Sequence, residues 1–292
     1  MASDTSSPNL SKKMSIIDYY SENLLADAIH ENFHSLLHLM CQKTPGFEWV
    51  KLAGVTLMVC KTPTSIYNRV VQTQIKPEEV EPKIREIQDY YDSNGSQFLW
   101  MVGPRDTPAD LSHRLEEYGF VRSGSPGMAI DLRQLRVPVS PSGFRVERVQ
   151  DKESLKTYSM LMPQAFGFDD LSKIAVSGWI NGVGLCDGLC HYIGYLDGNP
   201  VATSSVFYSD GVAGLYCVAS MPEARGKGIG SVMSAFPLLE AIEEGYNVGV
   251  LHSTMMAHEV YHRLGFKDIS EIINYSHAES GDSYLQTLSR RE

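Results

Sequence analysis

Apolar residues recurring every three or four positions mark the first element. Ile16, Tyr20, Leu24, Ala28, Leu36 and Met40 fall on one side of a helix over residues 15–43. Gly54–Cys60 (GVTLMVC) and Tyr67–Thr73 are β-rich runs. Pro77 opens a charged helix that passes through Glu86 to Tyr91 and is closed by Asn94-Gly95. The pattern then predicts a strand at Phe98–Val102, a helix from about Asp110 to Tyr118 ending at Gly119-Phe120, and a strand at Met128–Leu132. The run VPVSPSG, residues 137–143, reads as a linker.

Beyond the linker the pattern restarts. Phe144–Val149 is a predicted strand and Lys152–Phe166 a helix. His191–Leu196 and Val201–Tyr208 are strands joined by the hairpin signal Asp197-Gly198-Asn199. Gly214–Ser220 is a further strand, and a loop at Met221–Gly228 leads into a helix from about Ile229 to Glu244. Its expected apolar face is Ile229, Val232, Met233, Phe236 and Leu239, with Pro237 interrupting one backbone bond. Gly245, a strand at Asn247–His252, a helix ending at Leu264-Gly265-Phe266 and a last strand near Ile272–Tyr275 complete the series.

The two stretches share an order: strand, helix, Gly, strand, helix, Gly-Phe, strand. LEEYGF (115–120) lines up with YHRLGF (261–266), which predicts a degenerate internal repeat. The chain then divides into a disordered tail over 1–14, a first half over 15–136, the linker over 137–143 and a second half over 144–292.

Composition adds exclusions. Hydrophobic residues are 43% of the 292 and charged residues 21%, so the chain is globular rather than disordered or fibrous. The net charge of -10 argues against a nucleic-acid backbone or an anionic membrane as partner and mildly favours a cationic or neutral ligand. No apolar run approaches the ~20 residues of a membrane span, and no secretory pattern follows the polar residues Met1 to Lys13. Cys41, Cys60, Cys186, Cys190 and Cys217 form no disulfide pattern and read as reduced thiols of a cytoplasmic protein. Cys186, Cys190 and His191 are too cramped for a zinc site, so no metal is assigned.

The chemistry concentrates in MPEARGKGIGSVMSAF, residues 221–236. Gly226, Gly228 and Gly230 alternate at a strand-to-helix junction, where a backbone without Cβ turns tightly and brings N–H groups to a ligand at a helix N-terminus. Arg225 and Lys227 add positive charge, making an anion site suited to a pyrophosphate. Lys227-Gly228 breaks the P-loop pattern, and Gly230 comes one position too soon for a dinucleotide fingerprint.

YCVASMPEARGKGIG (216–230) resembles motif A of the Gcn5-related N-acetyltransferase family, and SxxxAHEVYHRLGF (253–266) resembles that family's later strand–helix signature. Roughly residues 144–276 fit. The resemblance implies an α+β (mixed α/β) acyl-CoA N-acyltransferase fold: a central, mostly antiparallel twisted sheet flanked by helices, with a second, degenerate half. It implies acetyl-CoA as cosubstrate, held by Val218 and Ser220 along the pantetheine and by Arg225, Gly226, Lys227, Gly228, Ile229, Gly230 and Ser231 at the pyrophosphate. The thioester would lie where the strands flanking the motif A helix splay apart. Tyr261 takes the family's position for the acid that protonates the departing thiolate. Many members carry a Glu near the start of the strand before motif A, where this chain has about Gly214. Asp210, His252, His258 and Glu147 are base candidates by type alone. Cys217, with no base beside it in sequence, reads as a buried small hydrophobe rather than a nucleophile. Phe166-Gly167-Phe168-Asp169-Asp170 falls at an acceptor-lining loop.

In the first half, QTQIKPEEV (72–80) has no glycine where the cradle would be, and Leu115 stands where the alignment puts Tyr261. That half is expected to lack a CoA site, to support the second and to wall the acceptor pocket. WMVGPRDTPADL (100–111) is similar to a stretch of bacterial two-part members. The expected partner is a small-molecule or peptide amine, with no nucleic acid and no membrane, and a homodimer is left open. Two other readings stand beside acetyl transfer: an acyl-CoA-binding sensor with little catalysis, and acyl transfer to amino-sugar conjugates or from aminoacyl-tRNA, the latter disfavoured by the acidic balance.

Overall fold

A computed structural model describes residues 16–18 and 21–277. The tail expected over 1–14 lies outside the described residues. Helix α1 (Glu22–Lys43) starts at Ser21, whose hydroxyl accepts from the Leu24 N–H, with Glu22 in its first turn and Lys43 in its last. This start sets the phase: Leu25, Ile29, Asn32, Leu36 and Met40 are buried, while Leu24 faces solvent.

Strands β1 (Phe47–Leu52), β2 (Val55–Cys60) and β3 (Arg69–Thr73) follow, then α2 (Val80–Ser93) behind a 3-10 turn at Pro77–Glu79, β4 (Leu99–Val102), α3 (Leu111–Glu117) and β5 (Phe120–Asp131). The second half supplies β6 (Phe144–Arg148), α4 (Lys152–Phe166), α5 (Asp170–Val183), β7 (Leu189–Leu196), β8 (Asn199–Ser209) and β9 (Val212–Ser220). It ends with α6 (Ile229–Glu243), β10 (Val248–His252), α7 (His258–Leu264) and β11 (Lys267–His277). The β7–β8 hairpin turns through Asp197 and Gly198, both with positive φ, as its sequence predicts. Residues 135–141 form neither helix nor strand.

The eleven strands among the described residues form one sheet, in the order β1-β2-β3-β4-β11-β5-β10-β9-β8-β7-β6. Pairing is antiparallel except β3 with β4 and β9 with β10. Those parallel pairs are joined through α2 and α6, so the repeated order of elements is present in the sheet. The last strands are exchanged: β11 pairs with β4, and β5 pairs with β10. β5 and β11 also pair with each other from Phe120/His277 to Ala129/Lys267. Each half thus completes its sheet with the other's final strand.

Helices cover both faces. One face packs α1, α4 and α5 around Leu36, Met40, Tyr158, Met162, Val176 and Trp179. The other packs α2 and α3 around Ile84, Ile87, Tyr91 and Leu115, and α6 and α7 around Ile229, Met233, Leu238 and Leu264. Within α6, Leu238 and Pro237 are buried, whereas Val232, Phe236 and Leu239 are only partly covered, so the inward face is rotated from the expected one.

His191 is buried and His30, His34 and His252 are half-buried. Burial pushes His252 down to about 3 and His30 and His191 down to about 4, and it lowers His34. Each folded-state value lies below that of an exposed imidazole, so the unfolded chain takes up protons first as the pH falls. Stability is therefore complete above about pH 6.5 and is lost toward about pH 4. His191 alone, 1% exposed, contributes on the order of 3 kcal/mol over that range. Asp106, raised to about 6 by burial, acts in the opposite sense as pH falls from there, but it is one group against several. Thermal melts should show the midpoint falling between about pH 7 and pH 5; a flat profile would contradict this.

Candidate active site

Strands β9 and β10 run together only at Ala213/Gly249, Gly214/Val250 and Leu215/Leu251. Beyond Leu215 they separate. On the other side of β9 the register with β8 slips between Thr203 and Ser205, so Cys217 and Val218 bulge against one residue. Cys217 has φ 55, rare for a residue with a side chain. A cleft of about 580 Å³ opens in this gap. Tyr216 to Ser220 form one wall, and His252 to Thr254 with Ala257, Val260 and Tyr261 form the other.

The Gly-rich turn closes one end of the cleft. A 3-10 turn at Pro222–Ala224 leads to Arg225, and Gly226 and Gly228 have φ of +73° and +77°. Gly228 is the N-cap of α6 and offers no side chain; the Ser231 and Val232 N–H groups both turn back to its carbonyl, at 3.2 and 3.3 Å, which leaves the Ile229 and Gly230 N–H groups at the start of the helix for a ligand. A Cβ on Gly226, Gly228 or Gly230 would meet no protein atom within 4 Å: it would project into open space at the cradle. Val218, Ser220, Arg225, Gly226, Gly228, Ile229, Gly230 and Ser231 all line the cleft. Lys227 does not; it is exposed outside. Arg225 donates to the Ser220 and Ala165 carbonyls, both at 3.2 Å, and so ties the turn to β9 and to the end of α4.

Tyr261, on α7, is 6% exposed and lines the same cleft. Burial pushes its phenol up to about 12, partly offset by a hydrogen bond with Ser234, so it holds its proton at neutral pH. Cys217 also lines the cleft, and burial raises its thiol to about 11; a protonated thiol is no nucleophile.

Of the four candidate bases, the fold brings His252 alone to the cleft. It ends β10 where the strands part, with its ring edge on Phe33 at 5.0 Å. Asp210 lies in the β8–β9 turn, at the other end of β9. Glu147 pairs with Arg145 on edge strand β6, and His258 bonds to Asp268 outside the cleft. No carboxylate lines the cleft among the described residues; its charged side chains are Arg69, Arg225 and Arg263.

The reason for glycine at 214 is a close approach. A Cβ there would overlap Asn32 Oδ1. Asn32 is fully buried on α1, donates to the Phe207 and Ser209 carbonyls and accepts from the Tyr216 hydroxyl at 2.7 Å. An amide from the first half therefore fills the space beside Gly214. Sequence reasoning had no signal for this pairing across 182 positions. It also missed Phe33, Arg69, Ser125, Ile272 and Asn274, which line the cleft from the first half and the exchanged strand.

The 166–170 loop contributes aromatic rings rather than acids. Phe166 and Phe168 stack at 5.2 Å and line the cleft. Asp169 caps α5 through the Ser172 N–H, and Asp170 pairs with Lys173 at the surface. In the first half, the corresponding turn carries Pro77 and a Glu79 carboxylate accepting from the Lys76 N–H, and Leu115 is fully buried.

Residues 155–266 match the family model described as the acetyltransferase (GNAT) family. They form a GNAT-family domain. A GCN5-related N-acetyltransferase from Kribbella flavida superposes with a TM-score of 0.66 at 18% identity, over 86% of this chain and 95% of that one. A functionally unknown conserved protein from Staphylococcus epidermidis gives 0.60 at 13% identity, over 78% and 92%. A tandem GNAT protein from the clavulanic acid biosynthesis pathway gives 0.57 at 13% identity, over 87% and 94%. No curated protein matches this sequence. These likenesses establish the acyl-CoA N-acyltransferase fold over both halves, and the GNAT match ends at Phe266, just before the exchanged strand. No helix among the described residues is long and apolar enough to cross a membrane.

Proposed function

We propose that the chain transfers an acetyl group from acetyl-CoA to an amine by direct attack within a ternary complex. The observation that carries this reading is the convergence of the Gly226–Ser231 cradle, the freed edge of β9 at Val218 and Ser220, and Tyr261 on one cleft. The cradle's N–H groups and Arg225 would hold the pyrophosphate. Val218 and Ser220 would pair with the pantetheine arm as an added strand would. In the transfer, the amine nitrogen forms the new C–N bond, the C–S bond breaks, and the sulfur takes the proton of Tyr261. The amine's surplus proton leaves through water or to His252, and a proton returned by water restores the Tyr261 phenol.

His252, held down to about 3 mainly by burial, is a weak base, and no carboxylate among the described residues lines the cleft with it. The site therefore suits acceptors already partly neutral at pH 7. An α-amine of pKa about 8 is neutral in roughly one molecule in ten, against one in a few thousand for lysine. The arginine-lined cleft also disfavours polycations, despite the chain's net charge of -10. The first half, over 15–136, would wall the acceptor end through Phe33, Arg69 and Ser125 and bind no CoA of its own.

The missing carboxylate also favours a second reading, an acyl-CoA-binding module with little catalysis. Acetyl-CoA mixed with a panel of amines, with free thiol followed, separates the two. Transfer predicts thiol release that depends on the amine and falls as amine pKa rises at fixed pH. Thermal stabilisation by acetyl-CoA with no amine-dependent thiol would support the binding module instead.

A further inference from the structure

Away from the cleft, three side chains converge where α7 meets β11. His258 and His262 stand one turn apart on α7, and Asp268 is the second residue of β11. His258 Nε2 lies 2.7 Å from Asp268 Oδ1. His262 Nε2 lies 3.2 Å from His258 Nε2 and 3.3 Å from Asp268 Oδ2. The turn that brings β11 back is set by Gly265, with φ +109° and its N–H on the Tyr261 and His262 carbonyls.

The hydrogen bonding leaves this point electron-rich. His262 Nδ1 lies 3.1 Å from the Phe266 carbonyl oxygen, which can only accept. In the neutral ring Nδ1 therefore carries the hydrogen, and Nε2 presents its lone pair. That lone pair faces a carboxylate oxygen and a second ring nitrogen. His258 Nε2 has one hydrogen to give, and Asp268 Oδ1 at 2.7 Å takes it. Two ring nitrogens and a carboxylate thus converge on one spot.

A metal ion resolves the crowding. Ligands about 2.0–2.1 Å from a tetrahedral zinc are roughly 3.3 Å apart, close to the 3.2 and 3.3 Å of two of the pairs here, while the 2.7 Å between His258 Nε2 and Asp268 Oδ1 would have to open as the ion enters. Two imidazoles and a carboxylate suit zinc and its neighbours, whereas calcium and magnesium favour all-oxygen sets. The Nδ1–H bond to a carbonyl is the orienting contact that metal-bound histidines usually have. Histidines four apart on a helix share one face, the spacing that helix-borne zinc sites use. Glu259, between them, is exposed and outside the trio.

We propose that His258, His262 and Asp268 form a site for a zinc-class divalent ion that clamps α7 to the start of β11. The two imidazoles are half-buried and the carboxylate is exposed, so the ion enters from solvent and water completes its coordination. Its structural effect falls on the helix that carries Tyr261, whose ring is buried on the inner side of α7.

The test uses the full chain with any affinity tag removed and metal stripped by chelator. Zinc chloride is titrated by calorimetry against wild type, His258→Ala/His262→Ala and Asp268→Asn. The double variant should lose one equivalent of zinc. Asp268→Asn, which keeps the side chain's shape, should weaken that equivalent by at least about 10-fold. The melting temperature should rise with zinc in wild type and not in the double variant. Wild type that takes up no zinc below about 100 μM, or a double variant that retains every wild-type equivalent, would overturn the site and leave a trio held by a proton. Circular dichroism of the variants guards against misfolding. The readout is metal uptake, so its failure would leave the transferase reading untouched.

Discussion

Tyr261→Phe should lower turnover by about 10²- to 10⁴-fold, the range for loss of a positioned general acid. The ring is 6% exposed and packed edge-on against Phe266 at 5.8 Å, so removing the hydroxyl leaves the packing intact. What is lost is the proton that burial holds on the phenol and that would go to the departing thiolate. On the proposed reading acetyl-CoA is held by other groups, the cradle and β9, so its binding should change little. Steady-state rates with the best amine of the panel, together with calorimetric acetyl-CoA binding, make the comparison. An unchanged turnover would remove Tyr261 from the chemistry.

Gly228→Val should reduce acetyl-CoA binding by at least about 100-fold while the chain still folds. At φ +77° a residue with a Cβ is strained by roughly 1–2 kcal/mol, and a β-branched one is worse placed. The added Cβ meets no protein neighbour within 4 Å and points to open space rather than into the core. The strain acts on the turn that presents the helix N-terminus, and relaxing it would turn the N–H groups away from the pyrophosphate. Gly228→Ala should lie between the two. A melting temperature within a few degrees of wild type shows that folding survives, and retained binding would count against the cradle.

Much of the second half was legible locally. Lys152–Phe166 is helical over its predicted span because Asp151 caps it and Gly167, with φ +71°, ends it. The Asp197-Gly198 turn and the glycines at 226 and 228 were legible for the same reason: a positive φ in a turn favours glycine or aspartate. Other elements carried weaker signals. Strand β1 is an edge strand with Glu48 and Lys51 outward, so it lacks an apolar run. Helix α5 hides behind Ser177, Gly178 and Gly182, the last needed for close approach to the Thr44 backbone. In α6, nearly every position is apolar or small, so periodicity could not choose the inward face. The histidine pair of α7 was readable as a spacing, but Asp268 joins it only after Gly265 turns the chain.

The sequence by itself determined most of the order of elements, the Gly-rich turn at 225–231 before a helix and the place of Tyr261 on the helix before Gly265, and it carries no matching glycines or tyrosine in the first half. Each depends on backbone conformation or residue type within a few positions. Only the tertiary structure decided which strands are neighbours. An alternating pattern says which face of a strand is buried and nothing about which strand lies beside it. The exchange of β5 and β11, the meeting of Asn32 with Gly214, and the choice of His252 over Asp210 and Glu147 all followed from contacts between distant segments. Those contacts are selected by how both halves bury their apolar faces in one sheet.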